Sequence, residues 1–193
     1  MNRIAIFIGA IALLIVAAPP ARAQDHSEVG VYADYFRLNQ TGTNFAGVGA
    51  RLGINVSHHF LLEGEMNYDF NQTFTEGFDN GTGTVTVERS NLRVLHGMFG
   101  PKLQTGGPVK AFLTVKGGFM NFRFDGSPAT VGGFFSSVND LRSNNVNGVL
   151  YPGGGLESFW GPIGLRLDVG DEIYFNNGAQ HNLRVSFGPT FRF

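Results

Sequence analysis

Three features of the sequence predict an all-β protein, an eight-stranded antiparallel up-and-down transmembrane β-barrel preceded by a signal peptide. The N-terminus has the three-part form of a secretory leader, and the rest of the chain alternates apolar with polar side chains. The connections between the alternating segments are short at one end and longer at the other.

The leader comes first in the chain. Arg3 precedes an unbroken apolar run from Ile4 to Ala18, followed by Pro19–Pro20 and Ala21-Arg22-Ala23. The run is about 15 residues, short of the roughly 20 that a spanning helix needs. Charged start, apolar middle and small-residue exit predict a signal peptide over residues 1–23, cleaved between Ala23 and Gln24. Residues 24–193 are then the barrel domain.

Composition agrees with a β-structure that is not conventionally soluble. Only 15% of residues are charged, while glycine reaches 28 and phenylalanine 19 of 193. Glycines cost a helix about 1 kcal/mol each. Cysteine is absent, so disulfides, thiolate metal sites and an N-terminal lipoprotein anchor are excluded. Losing Arg3 and Arg22 with the leader leaves 12 basic against 15 acidic side chains, −3, which is no field for nucleic acid.

Period-two patterning places strands at about 28–38, 45–57, 59–75, 84–103, 109–124, 146–159, 163–175 and 181–193. In the last of these, Leu183, Val185, Phe187, Phe191 and Phe193 share one face, interrupted by Pro189. Asn182, Arg184, Ser186, Thr190 and Arg192 share the other. The links at Ser57-His58, Gln104–Pro108 and Trp160-Gly161-Pro162 are tight. The hairpin extension around Asp79-Asn80-Gly81 and the stretch from Asp125 to Asn145 are long, which assigns the tight turns to the periplasm.

Charge decides which face meets lipid. One face collects Asp34, Glu63, Glu65, Asp69, Glu157, Asp168 and Glu172 together with Arg51, Lys102, Lys110, Lys116, Arg166, Arg184 and Arg192. The two signs balance, as an enclosed ion network requires, so the apolar face is assigned to lipid. A soluble barrel would carry its charges outside and in greater number.

Several segments carry a resemblance. They are Gly47-Val48-Gly49-Ala50-Arg51-Leu52-Gly53, Leu61–Tyr68, Gly153-Gly154-Gly155-Leu156-Glu157 and the last strand closing on Phe193. With the leader ending Ala21-Arg22-Ala23, the chain resembles the small outer-membrane β-barrel family that includes the OmpA and OmpX membrane domains. The resemblance implies a bacterial outer-membrane location. It also implies that Phe187, Phe191 and Phe193 form the C-terminal signal read by the barrel-assembly machinery, with Pro189 as a departure. Anchoring of Phe193 in the membrane interface is the plainer reading of the same residue.

An interior of eight strands holds only side chains. The luminal ions Arg51, Glu63, Glu65, Glu157, Arg166, Asp168 and Arg184 are the candidate site, with Arg166, Asp168 and Glu157 as its expected centre. They act either as a structural network that fixes register or as a gate. No catalytic, cofactor-binding or metal-binding residue is assigned. His58 and His59 lie in a turn, His26 before the barrel, His181 at a loop edge and His96 alone within a strand. Ser57 and His58 are adjacent and point to opposite faces of a strand, so they cannot form a nucleophile–base pair there.

Gly47-x-Gly49-x-x-x-Gly53 misses dinucleotide spacing, and Gly153–Gly155 reads as a bend or a close approach. The long loops offer a candidate partner surface, and Phe134 and Phe135 at the tip of the third outer loop either pack that loop onto the rim or form part of such a surface. The expected function is non-enzymatic, a structural envelope or surface-interaction role through the outer loops. A narrow channel for small or hydrophobic solutes is the alternative, and a lipid-modifying enzyme the third. The expected partners are outer-membrane lipid, the assembly machinery and a surface ligand.

Overall fold

The computed structural model describes residues 26–79, 85–125, 146–176 and 178–193, and side chains over 26–72, 92–123, 146–176 and 178–193. The leader with its Ala23–Gln24 cleavage site, Asn80-Gly81, and Phe134 and Phe135 lie outside the described residues.

The strands are β1 (Ser27–Leu38), β2 (Thr43–Ser57), β3 (Phe60–Asp79), β4 (Val85–Gln104), β5 (Val109–Asp125), β6 (Val146–Trp160), β7 (Ile163–Phe175) and β8 (Ala179–Arg192). They form one closed barrel in chain order, with β1 pairing antiparallel to β8. No helix occurs among the described residues.

Alternation in the sequence becomes alternation in burial: β1 reads intermediate, then strictly buried and exposed in turn. Val31, Leu52, Leu113, Leu156, Leu167 and Phe187 are among the large apolar side chains left exposed on the outside. Pro189 also points outward, in phase with Phe187 and Phe191, so the apolar stripe of β8 is continuous. At one end the turns are tight. Gly161 (φ 67°) and Gly107 (φ 104°) supply the left-handed backbone that two of them need.

Bonded neighbours can be followed once round the barrel. From Phe36 the path runs through Arg184, Gly170, Gly153, Thr114, Lys102, Leu61 and Asn55. The Asn55 amide donates to the carbonyl of His26 at 2.8 Å, ten residues before the start. A shear of ten over eight strands, with strands about 4.8 Å apart and residues about 3.3 Å apart, tilts the strands by about 40° and gives a backbone radius of about 8 Å.

The strands do not all end at one height. Past a bulge between Asp69 and Gln72, β3 and β4 remain paired from Thr73–Asn91 to Asp79–Val85. That is about 23 Å of ladder beyond the bulge. The expected hairpin extension is there, but β3 runs four residues past the end at about 75 that its pattern suggests, because polar residues such as Asn71, Gln72 and Thr73 break the alternation without breaking the strand.

The closing seam is irregular. Ser27 and Phe193 exchange both backbone bonds at 3.0 Å, and such pairs recur every second residue. That periodicity sets Val31 opposite Pro189, which has no N–H to give. The β1–β8 pairing accordingly steps from Gly30–Thr190 to Ala33–Phe187. At the same point a Cβ on Gly188 would lie 2.6 Å from Tyr32 Cα. We expect Gly188→Ala to lower the unfolding free energy by about 1–3 kcal/mol, read by urea titration of the refolded barrel. Gly148→Ala, where a Cβ meets nothing within 4 Å, should leave it unchanged.

Candidate functional site

The lumen is stratified along the barrel axis. Toward the turn end, Lys102 Nζ lies 3.1 Å from Glu28 Oε2 and 2.9 Å from Glu157 Oε2. All three are buried.

The middle layer is denser. Arg166 clasps Glu63 with both terminal nitrogens and donates to Asp168 Oδ2 at 2.8 Å. Lys116 Nζ bridges Glu63 Oε1 and Glu65 Oε2, each at 2.6 Å. Arg51 reaches Asp168 at 3.6 Å and donates to Ser186 Oγ at 3.1 Å. Arg184 donates to Glu65 Oε1 at 2.7 Å and to Asp34 Oδ1 at 2.9 Å, with Tyr32 Oη at 3.1 Å. Tyr151 Oη donates to Asp168 Oδ1 at 2.7 Å, and its ring lies over the bare positions of Gly153 and Gly170. Those two glycines therefore mark a close approach of ring to backbone.

The seven luminal ions singled out in the sequence all point inward, and most are joined in one network through Lys116 and the arginines. Glu157 is the exception. It sits opposite Arg166 in the β6–β7 ladder but bonds to Lys102 below, so the middle cluster is centred on Arg166, Asp168 and Glu63.

Above this, His96 is not alone. Its Nε2 lies 2.7 Å from Asp69 Oδ2, and its Nδ1 bonds to Glu172 Oε1. A neutral imidazole has one N–H, so donation to both carboxylates requires the imidazolium. Asn67 Nδ2 ties Asp34 to Asp69 at 3.0 and 3.1 Å, and Arg184 NH1 approaches Glu172 Oε2 at 3.4 Å. His96 thus supplies a cation among three buried acids.

The next layer is apolar. Phe36 packs edge-on to His96 at 5.0 Å and against Phe45 at 6.1 Å, and Phe122 meets Tyr174 at 5.4 Å. With Leu38, Leu92, Val94 and Met120, all fully buried, these rings form a hydrophobic core inside the loop end of the barrel. The signal for it is present in the sequence, since Phe36 and Leu38 share the phase of Asp34.

Outside, Phe187, Phe191 and Phe193 face outward along β8. His181 Nδ1 lies 2.6 Å from Asp171 Oδ2 on the barrel exterior, and His59 Nδ1 meets the Gln104 carbonyl in the turn. Among the described residues no group of three or more metal-ligating side chains is arranged to hold an ion.

Two measurements probe the network. We expect Arg166→Met to destabilise the barrel by about 3–5 kcal/mol in urea unfolding, since Glu63 and Asp168 lose their shared cation. Lys110→Met, at the turn mouth beside the Phe159 ring, should cost under about 1 kcal/mol. His96→Gln should cost about 3 kcal/mol, and His96→Gln/Glu172→Gln less than the single change, because one of the facing carboxylates is then neutral.

No protein-family model and no curated protein matches the sequence. Solved structures do. Neisserial surface protein A is 11% identical, with 87% of this chain and 96% of that one covered and a TM-score of 0.55. The N-terminal β-barrel domain of Pseudomonas aeruginosa OprF is 11% identical, with 89% and 100% covered and a TM-score of 0.51. Ail of Yersinia pestis is 13% identical, with 87% and 97% covered and a TM-score of 0.49. Closed topology, inverted polarity and the likenesses to Neisserial surface protein A and the OprF domain together give the chain the fold of the small eight-stranded outer-membrane β-barrels, the OmpA/OmpX-like architecture.

Proposed function

We propose that this chain is a non-catalytic barrel of the bacterial outer membrane that acts through its loop end, supporting the envelope or meeting a surface ligand. The observation that carries this reading is the apolar layer above the ion network. Phe36, Leu38, Leu92, Met120 and Phe122 are 0–1% exposed and close the lumen where a conduction path would have to leave it. Beneath it the charges are held in pairs, which favours a structural network over a gate.

The long β3–β4 hairpin gives the loop end its reach. Leader cleavage before Gln24 and export follow from the reading of residues 1–23. The outward Phe187, Phe191 and Phe193 form the segment offered to the assembly machinery. The tight turns then face the periplasm.

The histidines fit a structural role. His96 and His181 are bonded to carboxylates and His59 to a backbone carbonyl, and among the described residues no nucleophile is hydrogen-bonded to these three. A channel is the competing reading. Barrels refolded into liposomes, their folding checked by heat-dependent gel mobility, should show solute influx no faster than empty liposomes. Influx that rises with the amount of folded barrel would replace the proposal with the channel.

A further inference from the structure

One tripeptide recurs in the wall, as Phe99-Gly100-Pro101 in β4 and Phe187-Gly188-Pro189 in β8. In both, phenylalanine and proline face outward and glycine inward, close to the turn end of the strand. The barrel closes in chain order, so the β4–β5 and β8–β1 junctions lie on opposite sides of the bore. Both junctions are interrupted at this motif. The β4–β5 pairing steps from Phe99–Gly117 to Lys102–Thr114, as β1–β8 does beside Pro189. On the other edge of each strand the pairing runs through, with Pro101 beside Leu62 and Pro189 beside Leu165. The absent N–H therefore deprives one carbonyl at each junction, that of Val115 opposite Pro101 and that of Val31 opposite Pro189. In hydrocarbon no water replaces it.

Glycine fills the gap. A Cβ on Gly100 would overlap the Val115 oxygen, and one on Gly188 the Val31 oxygen. A glycine hydrogen points there instead, at a Cα–O separation within about 3.6 Å, the reach of a Cα–H···O contact, which is weaker than the N–H bond it stands in for. Gly118 and Gly155 also approach carbonyls, those of Gly97 and Leu167, but there the ladder partners Phe119 and Leu156 are kept. A third proline, Pro152, interrupts β6–β7 between Leu150–Ile173 and Gly153–Gly170. Its preceding residue is Tyr151, whose ring lies against Gly170 and whose hydroxyl donates to Asp168 at 2.7 Å, both on β7. That break is braced by a side chain. Gly100 and Gly188 have none to offer.

The luminal charges divide along the same two lines. Among the described residues, buried acids outnumber buried bases on β1–β4, and bases outnumber acids on β5–β8. Ion pairs span both junctions. Lys116 on β5 reaches Glu63 and Glu65 on β3 at 2.6 Å, across the row in which Gly100 stands beside Glu63. Arg184 on β8 reaches Asp34 on β1 at 2.9 Å. We infer that Phe99–Pro101 and Phe187–Pro189 are paired creases, two opposite lines of weakened backbone bonding on which the halves β1–β4 and β5–β8 bend against each other at the turn end. The ion pairs between the halves are the latch. Releasing one latch loosens both creases, because each half moves as a unit. The inference goes beyond the surface role proposed above and does not depend on it.

The test is amide hydrogen exchange, read by NMR on the full barrel in lipid nanodiscs. Gel mobility with and without heating reports folding separately. Val31 and Val115 report the creases, and Arg51, on the uninterrupted β1–β2 ladder, is the reference. Pro189→Ala and Pro101→Ala restore the absent N–H, and each should slow exchange at its own crease about three- to tenfold. Lys116→Met removes the latch at β4–β5. It should speed exchange at Val115, and at Val31 across the bore, about tenfold or more relative to Arg51. Proline variants that leave Val31 and Val115 unaltered would overturn the inference. So would a Lys116→Met barrel in which Arg51 accelerates as much as Val31, since the network then holds the whole wall evenly. Acceleration confined to Val115 would overturn it too, leaving two unconnected irregularities. If Lys116→Met fails to fold, the two proline variants still decide.

Discussion

Backbone amides in hydrocarbon have no water to bond, and that constraint governs everything else in this protein. Eight strands satisfy it only by closing β1 on β8, and the stagger of ten residues on closure fixes a radius near 8 Å. A cylinder of that size has no room for bulk water once side chains enter. Interior residues must therefore neutralise, hydrogen-bond or pack against one another. The irregular stretch at Gly188 and Pro189 is the one place on the β1–β8 seam where the ladder itself is interrupted.

Two solutions to the filling problem are stacked in one lumen. Over most of its depth, acids and bases of nearly equal number are set within contact distance, with Lys102, Lys116 and Arg166 each serving two carboxylates and Arg184 three. Desolvating any of these charges alone would be costly, so their worth lies in being mutually compensated and in tying distant strands together. Arg184 on β8 holds Asp34 on β1 and Glu65 on β3, and Arg166 on β7 holds Glu63 on β3, across the bore. Toward the loops the barrel changes strategy and is filled with rings and aliphatic chains.

Much of this is legible in the residues. Alternation marks the strand limits to within a few positions, because buried and exposed side chains take turns along β1 and most of β7 and β8. The inward set could be named from charge and phase alone. Pair partners could not, since they depend on shear, which no single strand encodes. Glu157 illustrates this: its ladder neighbour is Arg166, yet strand tilt carries its carboxylate to Lys102 on β4. His96 looked solitary for a related reason. Asp69 lies one strand away and Glu172 across the bore, and neither is near it in sequence. The β3–β4 extension was legible around Asp79-Asn80-Gly81, but the end of β3 was set four residues short, because a ladder outside the membrane needs no apolar face.

The stratification also sets the parts of the lumen apart in the changes they tolerate. Phe36, Phe122 and Leu92 can give way to apolar side chains of like volume, because none has a charged partner to lose. The layer of Glu63, Arg166 and Asp168 cannot lose one charge without stranding another.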